Sequence, residues 1–373
     1  MGTTLEVYSL GGCGGFGMNA ALLVCERRGL LLDFGIGFPR TPLPGVSLTV
    51  ADATPVAERV PELAGIVLTH GHDDHAAGLP YLPRAWSGAP VYGPGLALAG
   101  AADRLDDARV PRPRMVPVPL GDTAAIGPFK VTFVPVTHSI PDAAMLAIET
   151  AAGTVVHTGD FKFDLDPVRP PLTDLDRLAA FGRRGVRLLL LDSTGALRPG
   201  RTRSESSVVA PLESAVAAAT GQVVVSTFAS HLHRIQTALG AARRTGRKAA
   251  LLGQRMTRTV RHGLDLNLFD APAGVLVSPE ALADERPERR MWLAGGCQGE
   301  PQSSLARLST ESDTRAEVGR GDTVILSSSI VPGNEMPVSR MIDRFLRFGA
   351  VVRHAGQDPE LHVSGHGSRD EIV

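Results

Sequence analysis

At 373 residues the chain is too long for one ordinary compact core, so two domains are expected. Its 43% hydrophobic and 21% charged residues describe an ordinary globular protein, and a formal net charge of −1 excludes a global electrostatic case for nucleic acid; any RNA or DNA would need a local basic groove. Cys13, Cys25 and Cys297 are too far apart for a disulfide framework or a paired-thiolate zinc site, and no secretory segment or bilayer-length apolar run is seen, so a reducing cytoplasm and no membrane are expected.

In chain order, residues Ala20 to Val24 and Gly29 to Asp33 are apolar runs flanking a polar turn, which predicts a hairpin. Gly65 to Thr69 is a short buried strand leading into a histidine cluster. Val131 to Val136 is another, with His138 just past its end, and Ala144 to Thr150 with Thr154 to His157 form a second hairpin leading to Asp160. Arg187 to Leu191 is a continuous apolar strand ending at Asp192. The rhythm is a strand, then a loop holding His or Asp, which lets a sheet fix reactive side chains that stay accessible. From about Ser207, helices (Val208 to Ala219, Leu232 to Arg244, Ser339 to Phe348) alternate with short strands (Val223 to Val225, Ala249 to Leu252, Val324 to Ser327), which predicts a parallel α/β sheet. Boundaries are placed near Arg198 to Ser206 and His354 to Glu360.

The run His70-Gly71-His72-Asp73-Asp74-His75 is the strongest chemical signal. A divalent metal needs imidazoles and carboxylates converging to about 2.0–2.2 Å from one point. Alternate residues of a loop point the same way, so His70 and His72 can share one metal while Asp74 and His75 turn toward a second. His138 and Asp160 follow strands as later contributors to the same sheet edge, and a carboxylate such as Asp160 can bridge two cations. This is the pattern of a binuclear hydrolase. His262 and His354 read as surface or boundary residues, His157 as support beside the site, and Asp33 as a buried orienter of the histidine loop. Gly11 to Gly17 (GGCGGFG) lacks phosphate-loop spacing and reads as a tight turn allowing close backbone approach.

Taken together, Leu10 to Asn19 (LGGCGGFGMN), Val67 to His75, Thr137 to Asp142 (THSIPD), His157 to Phe163 (HTGDFKF), Leu191 to Gly200 (LDSTGALRPG), Ser230 to Gln236 (SHLHRIQ), Gly295 to Pro301 (GGCQGEP), Gly321 to Glu335 and His362 to Gly367 (HVSGHG) occur in an order that resembles the ribonuclease J family, the β-CASP members of the metallo-β-lactamase superfamily. The resemblance implies an α/β fold: a metallo-β-lactamase αββα sandwich (1–205), an inserted β-CASP parallel α/β domain (206–355) and a return to the first domain (356–373). It implies a metal-dependent ribonuclease that hydrolyses RNA phosphodiester bonds, as a 5′–3′ exonuclease and also internally, acting on RNA with a 5′-monophosphate, as a homodimer or homotetramer. Two divalent ions are implied, Zn2+ first and Mn2+ or Mg2+ next. His70, His72 and His138 would hold one, Asp74 and His75 the other, with Asp160 bridging. Asp74, Asp192 and His366 would be catalytic, with Asp192 orienting and charging His366 for leaving-group protonation. His362, Ser364 and the Gly365 backbone resemble a pocket for a substrate phosphate, and Ser230, His233 and Arg234 at a helix start would add anion contacts.

The chain departs from the family pattern at His231, Gly195 and Gly15, all expected near the substrate groove. Ser368-Arg369-Asp370-Glu371 reads as a capping box opening a helix that stops at Val373, before the family's Val-His-Gly-Glu-like motif and further C-terminal domain. The last protein ligand of the second metal and a cover for part of the first domain are therefore expected to be missing, as in a truncated chain. Two alternatives stand beside the leading reading: a truncated non-catalytic chain that binds RNA or a partner, and a small-molecule hydrolase of the metallo-β-lactamase type. The second predicts no inserted α/β domain.

Overall fold

The computed structural model describes residues 4–39 and 43–373. They divide into two compact units: the first takes the chain up to Phe163, then Pro171–Thr202 and Gly365–Val373, and the second takes Asp164–Pro170 and Arg203–Ser364.

Unit 1 is built on two sheets. The first contains β1 (Leu5–Gly11), β2 (Ala20–Cys25), β3 (Arg28–Leu32), and, beyond a small ribbon of β4 (Ile36–Gly37) and β5 (Thr49–Val50), β6 (Leu63–Val67), β7 (Val91–Gly93) and β8 (Met115–Pro117), in the order β1-β2-β3-β6-β7-β8. The second contains β9 (Thr123–Ile126), β10 (Phe129–Val136), β11 (Ala143–Thr150), β12 (Gly153–His157) and β13 (Leu188–Leu190), in the order β13-β12-β11-β10-β9. The β2–β3 hairpin closes on Glu26 and Arg27, both left-handed (φ 51° and 66°), the pairing a two-residue turn needs to follow strand twist.

The side chains alternate between two apolar layers. Leu23, Leu30 and Leu32 meet Phe129, Val131, Phe133, Leu146 and Ile148 between the sheets. One residue out of phase, Leu22 and Leu31 pack against Ala97, Ala101 and Leu105 of the helix Gly95–Asp107, and Val134, Val136 and Met145 pack against Phe181 of the helix Leu175–Arg184. This is the αββα layering, and it explains why these strands read as unbroken apolar runs: both faces are covered. The apolar run before Asp192 is the exception. β13 is an edge strand, and Leu189 is 50% exposed.

Unit 2 holds a parallel sheet of β14 (Val223–Ser226), β15 (Lys248–Leu252), β16 (Arg290–Ala294), β17 (Thr323–Leu326) and β18 (Val351–His354), in the order β15-β16-β14-β17-β18. The helix Leu232–Arg244 has the predicted bounds. The helix expected from Ser339 begins instead at Glu335, because Pro337 sits in its first turn, where a missing N–H costs no intrahelical bond. Met341 and Phe345 of that helix pack on Trp292, Val324 and Leu326 of the sheet.

The final turn of unit 1, Arg369–Ile372, carries the capping box read from the sequence. Glu371 does more than cap: its carboxylate accepts backbone N–H groups from Ser368 (2.9 Å), Phe163 (2.9 Å) and Thr202 (2.6 Å), joining three separate stretches of chain. Burial alone would raise its pKa, but these donors outweigh it and hold the carboxyl below the usual range. The stabilisation is therefore present above the unfolded pKa, about 4.3, and lost as pH falls through the lower folded value. Glu371→Gln should destabilise unit 1 by about 1–3 kcal/mol near neutral pH. In denaturant titrations the gap between the two proteins should close as the pH drops; a gap independent of pH would contradict the assignment.

Candidate metal centre

The site forms where strands of unit 1 end. β6 delivers Leu68 to His75, β10 delivers His138, β12 delivers Asp160 and β13 delivers Asp192. The histidine loop is fixed from below by Asp33, which directly follows β3, is fully buried, and lies in the left-handed region at φ 54°. Its carboxylate accepts the Thr69 N–H and hydroxyl, each at 2.8 Å, and meets His75 Nδ1 at 2.8 Å. Thr69 Oγ1 is also 3.0 Å from His70 Nδ1. Both rings are thereby oriented with Nε2 toward the site. Gly35 lets the next turn of chain lie against this loop: a Cβ there would fall 1.6 Å from the Asp74 carbonyl oxygen.

The predicted ligands converge as two groups. His70, His72, His138 and Asp160 each offer an atom, all mutually within 4.8 Å, and so do Asp74, His75 and Asp160. Asp160 divides its oxygens between them, Oδ2 lying 3.8 Å from His70 Nε2 and 3.7 Å from His138 Nε2, and Oδ1 3.2 Å from His75 Nε2. His366 Nδ1 stands 2.9 Å from Asp192 Oδ2 and 3.9 Å from Asp160 Oδ2. His138 is turned by the Gly365 carbonyl, 2.7 Å from its Nδ1. That carbonyl is committed to the metal centre, which leaves only the Gly365 N–H for the expected phosphate contact.

Electrostatics prepare the two groups differently. Burial, reinforced by neighbouring imidazoles, holds His70 and His72 well below the usual histidine range, and burial brings His138 to about 4. All three are neutral at physiological pH, with lone pairs available to a cation. Burial opposes ionisation of Asp160, but the charge and hydrogen bond of His75 outweigh it, and the carboxyl stays ionised. His366 is likewise pushed down by burial, yet its bond to Asp192 and the charges of Asp160 and Asp192 raise it overall. The donor set of imidazole nitrogens and carboxylate oxygens suits Zn2+ and equally admits Mn2+.

The structure parts from the sequence reading in unit 2. Arg234 does not face a substrate phosphate. It is fully buried, with Nε and Nη2 on Glu205 at 2.7 and 3.0 Å and Nη1 on Ser327 O at 3.0 Å and Ser327 Oγ at 2.6 Å. Ser327 Oγ passes the connection on by donating to the Leu361 carbonyl at 2.6 Å. His233 is also buried, and His231, rather than Ser230, caps the helix by accepting the Arg234 N–H at 3.4 Å. Ser230, His362 and Ser364 are half-buried. Asn19, Thr69 and Glu205 were not singled out as site or framework residues, and Glu371 was read only as part of a capping box. Only Asn19 carried a signal, its place directly after the Gly-rich turn. His262 and His354 lie in unit 2, outside both ligand groups.

Residues 14–221 match the metallo-β-lactamase superfamily, and residues 220–345 match the β-CASP domain of ribonuclease J. Over 369 residues the chain is 37% identical to a ribonuclease J of Corynebacterium glutamicum, covering 99% of this chain and 51% of that protein. It is 38% identical over 376 residues to a ribonuclease J of Thermus thermophilus (99% and 65%) and 37% identical over 369 residues to one from Mycobacterium tuberculosis (99% and 66%). The chain thus spans from about half to about two thirds of the length of these relatives. A crystal structure of a protein of unknown function from Enterococcus faecalis superposes with a TM-score of 0.64 at 15% identity, covering 98% of this chain and 89% of the other, which speaks to the fold alone. No helix among the described residues is long and apolar enough to cross a membrane. The chain belongs to the metallo-β-lactamase superfamily, and within it residues 220–345 match the β-CASP domain of ribonuclease J.

Proposed function

We propose that this chain carries the active site of a metal-dependent ribonuclease that hydrolyses RNA phosphodiester bonds, from a 5′-monophosphate end and also internally. The observation that supports it most is the pair of ligand groups sharing Asp160, with the Asp192–His366 couple beside them. His70, His72 and His138 would hold one divalent ion, Asp74 and His75 the other, and Asp160 both. Zn2+ is the first candidate, with Mn2+ or Mg2+ as substitutes. Bound there, the ions supply Lewis-acid charge for the phosphoryl oxygens and make hydroxide available at neutral pH.

The protein's own groups do the rest. Asp33 and Thr69 keep the imidazoles aimed, and Gly365 keeps His138 turned. His366, charged by Asp192, gives its proton to the leaving 3′ oxygen as the phosphorus–oxygen bond breaks on the side away from the attacking water. The half-buried His362 and Ser364, with the Gly365 N–H and Ser230, are candidates for holding substrate phosphates. A small-molecule hydrolase is disfavoured by the β-CASP match of residues 220–345. Three cysteines without disulfide partners suit a reducing cytoplasm.

The test offers matched RNAs with 5′-monophosphate and 5′-hydroxyl ends in Zn2+, Mn2+ or Mg2+. The monophosphorylated RNA should be shortened, and Asp74→Ala should cost more than the roughly 10–100-fold expected from losing a mere supporting partner. If neither RNA is cut with any of the three ions, the reading fails for this chain.

A further inference from the structure

Of the stretch Leu191 to Gly200, the chemistry above uses only Asp192, yet the chain from there to Thr202 lies alongside the segment that carries His366. Arg369 N–H donates to the Arg198 carbonyl at 2.9 Å, and Asp370 N–H to the Gly200 carbonyl at 3.1 Å. At one end of this pairing Asp192 meets the His366 ring. At the other, Thr202 Oγ1 lies 2.8 Å from the His366 carbonyl oxygen. One stretch of chain thus holds the histidine both by its imidazole and by its backbone.

The hydroxyl contact has a fixed direction. A hydroxyl carries one hydrogen and a carbonyl can only accept, so Thr202 gives its proton to His366. Ser368 Oγ, 2.9 Å from Thr202 Oγ1, must then be the donor to it. The relay from Ser368 through Thr202 runs one way and ends on His366. Thr202 is itself anchored, because the Glu371 carboxylate takes its N–H.

The neighbouring backbone is held as closely. Gly367 N–H donates to the Phe161 carbonyl at 2.7 Å, one residue past Asp160, and the Gly365 carbonyl is committed to His138 Nδ1. Gly195 lets the two segments meet: a Cβ there would fall 1.9 Å from the Gly367 carbonyl oxygen. These anchors matter because a proton donor must come within about 2.6–3.2 Å of its acceptor. The Asp192 contact alone fixes one ring nitrogen and leaves the ring free to pivot about it. We propose that Thr202 is a positioning residue for His366: its hydroxyl sets the backbone from which the imidazole reaches the leaving oxygen, and Gly195 makes room for that approach. This rests on the proton-donor reading of His366 above.

The experiment compares Thr202→Val, which keeps the shape and removes the hydroxyl, with Thr202→Ser, which keeps the hydroxyl. In metal-free protein carrying isotope-labelled histidine, the His366 imidazole NMR signal is identified by its absence from His366→Ala. It should move in Thr202→Val and return in Thr202→Ser. With metal and 5′-monophosphorylated RNA, Thr202→Val should lower the single-turnover rate by about 10–100-fold at unchanged metal content, and Thr202→Ser should restore it. In a His366→Ala background Thr202→Val should cost nothing further, whereas a merely structural role would cost as much again. Matching thermal melts verify the folds. An unmoved imidazole signal in Thr202→Val, or an equal loss in both backgrounds, would overturn the assignment. Loss of metal from Thr202→Val would do so too, because Thr202 would then act through Gly365 and His138. Wild-type turnover in His366→Ala would instead overturn the proton-donor reading, since the imidazole signal tests the seating without turnover.

Discussion

His366→Ala should lower turnover by about 10²–10⁴-fold while the metal content stays at the wild-type value. The imidazole is not among the groups that share His70, His72 or His75; it stands with Asp160 and Asp192. Its Nδ1 is engaged by Asp192 at 2.9 Å, which assigns the proton transfer to Nε2. Asp192→Asn keeps the shape of that contact but removes the charge that favours the imidazolium, so it should show a smaller loss of the same kind. Single-turnover cleavage of 5′-monophosphorylated RNA, run beside metal analysis of the same samples, separates the possibilities. Parallel loss of metal and activity in His366→Ala would make His366 a ligand and remove it as the proton donor.

Arg234→Met should destabilise unit 2 by about 3–5 kcal/mol. The guanidinium is completely buried, and removing it strands the Glu205 carboxylate, itself 5% exposed, without its countercharge. Stranding a buried charge costs far more than an ion pair contributes, so Arg234→Met combined with Glu205→Leu should recover much of the loss. The two tryptophans allow the effect to be localised: Trp86 is buried in unit 1 and Trp292 in unit 2. With Trp86→Phe as background, denaturant unfolding followed through Trp292 should move to lower denaturant. If instead stability holds and RNA binding weakens with a reduced salt slope, Arg234 is a phosphate contact after all.

The Arg234 correction shows what the sequence makes legible. His70, His72, His138, Asp160 and Asp192 could be found because each lies in the loop just past an apolar strand, and strand ends are marked by local composition. Arg234 shares its stretch with polar, accessible-looking neighbours, but what decides its role is Glu205, 29 residues earlier, and Ser327, 93 residues later. No local spacing encodes partners at that separation. Glu371 is the intermediate case: its capping role follows from Ser368 three residues before it, whereas its bonds to Phe163 and Thr202 do not. The helix read from Ser339 starts at Glu335 instead, and Pro337 is tolerated there because proline breaks a helix only after the first turn. The layered architecture was more transparent, because alternate residues of a strand must serve two opposite layers and doubly covered strands carry no polar position to break the run.

The hydrogen bond between His138 and Gly365 spans 227 positions of sequence, and that between Asp192 and His366 spans 174. Chains are synthesised from the N-terminus, and domains form as their residues emerge. During translation the ribosome releases His70, His72, His138, Asp160 and Asp192 long before the carbonyl that turns His138 or the imidazole that pairs with Asp192. A nascent chain paused between Arg203 and Ser364 thus holds the candidate metal-binding side chains and Asp192, but not the imidazole that Asp192 pairs with. The pair is completed only once His366 has been made, which ties it to the synthesis of everything encoded between Asp192 and that imidazole.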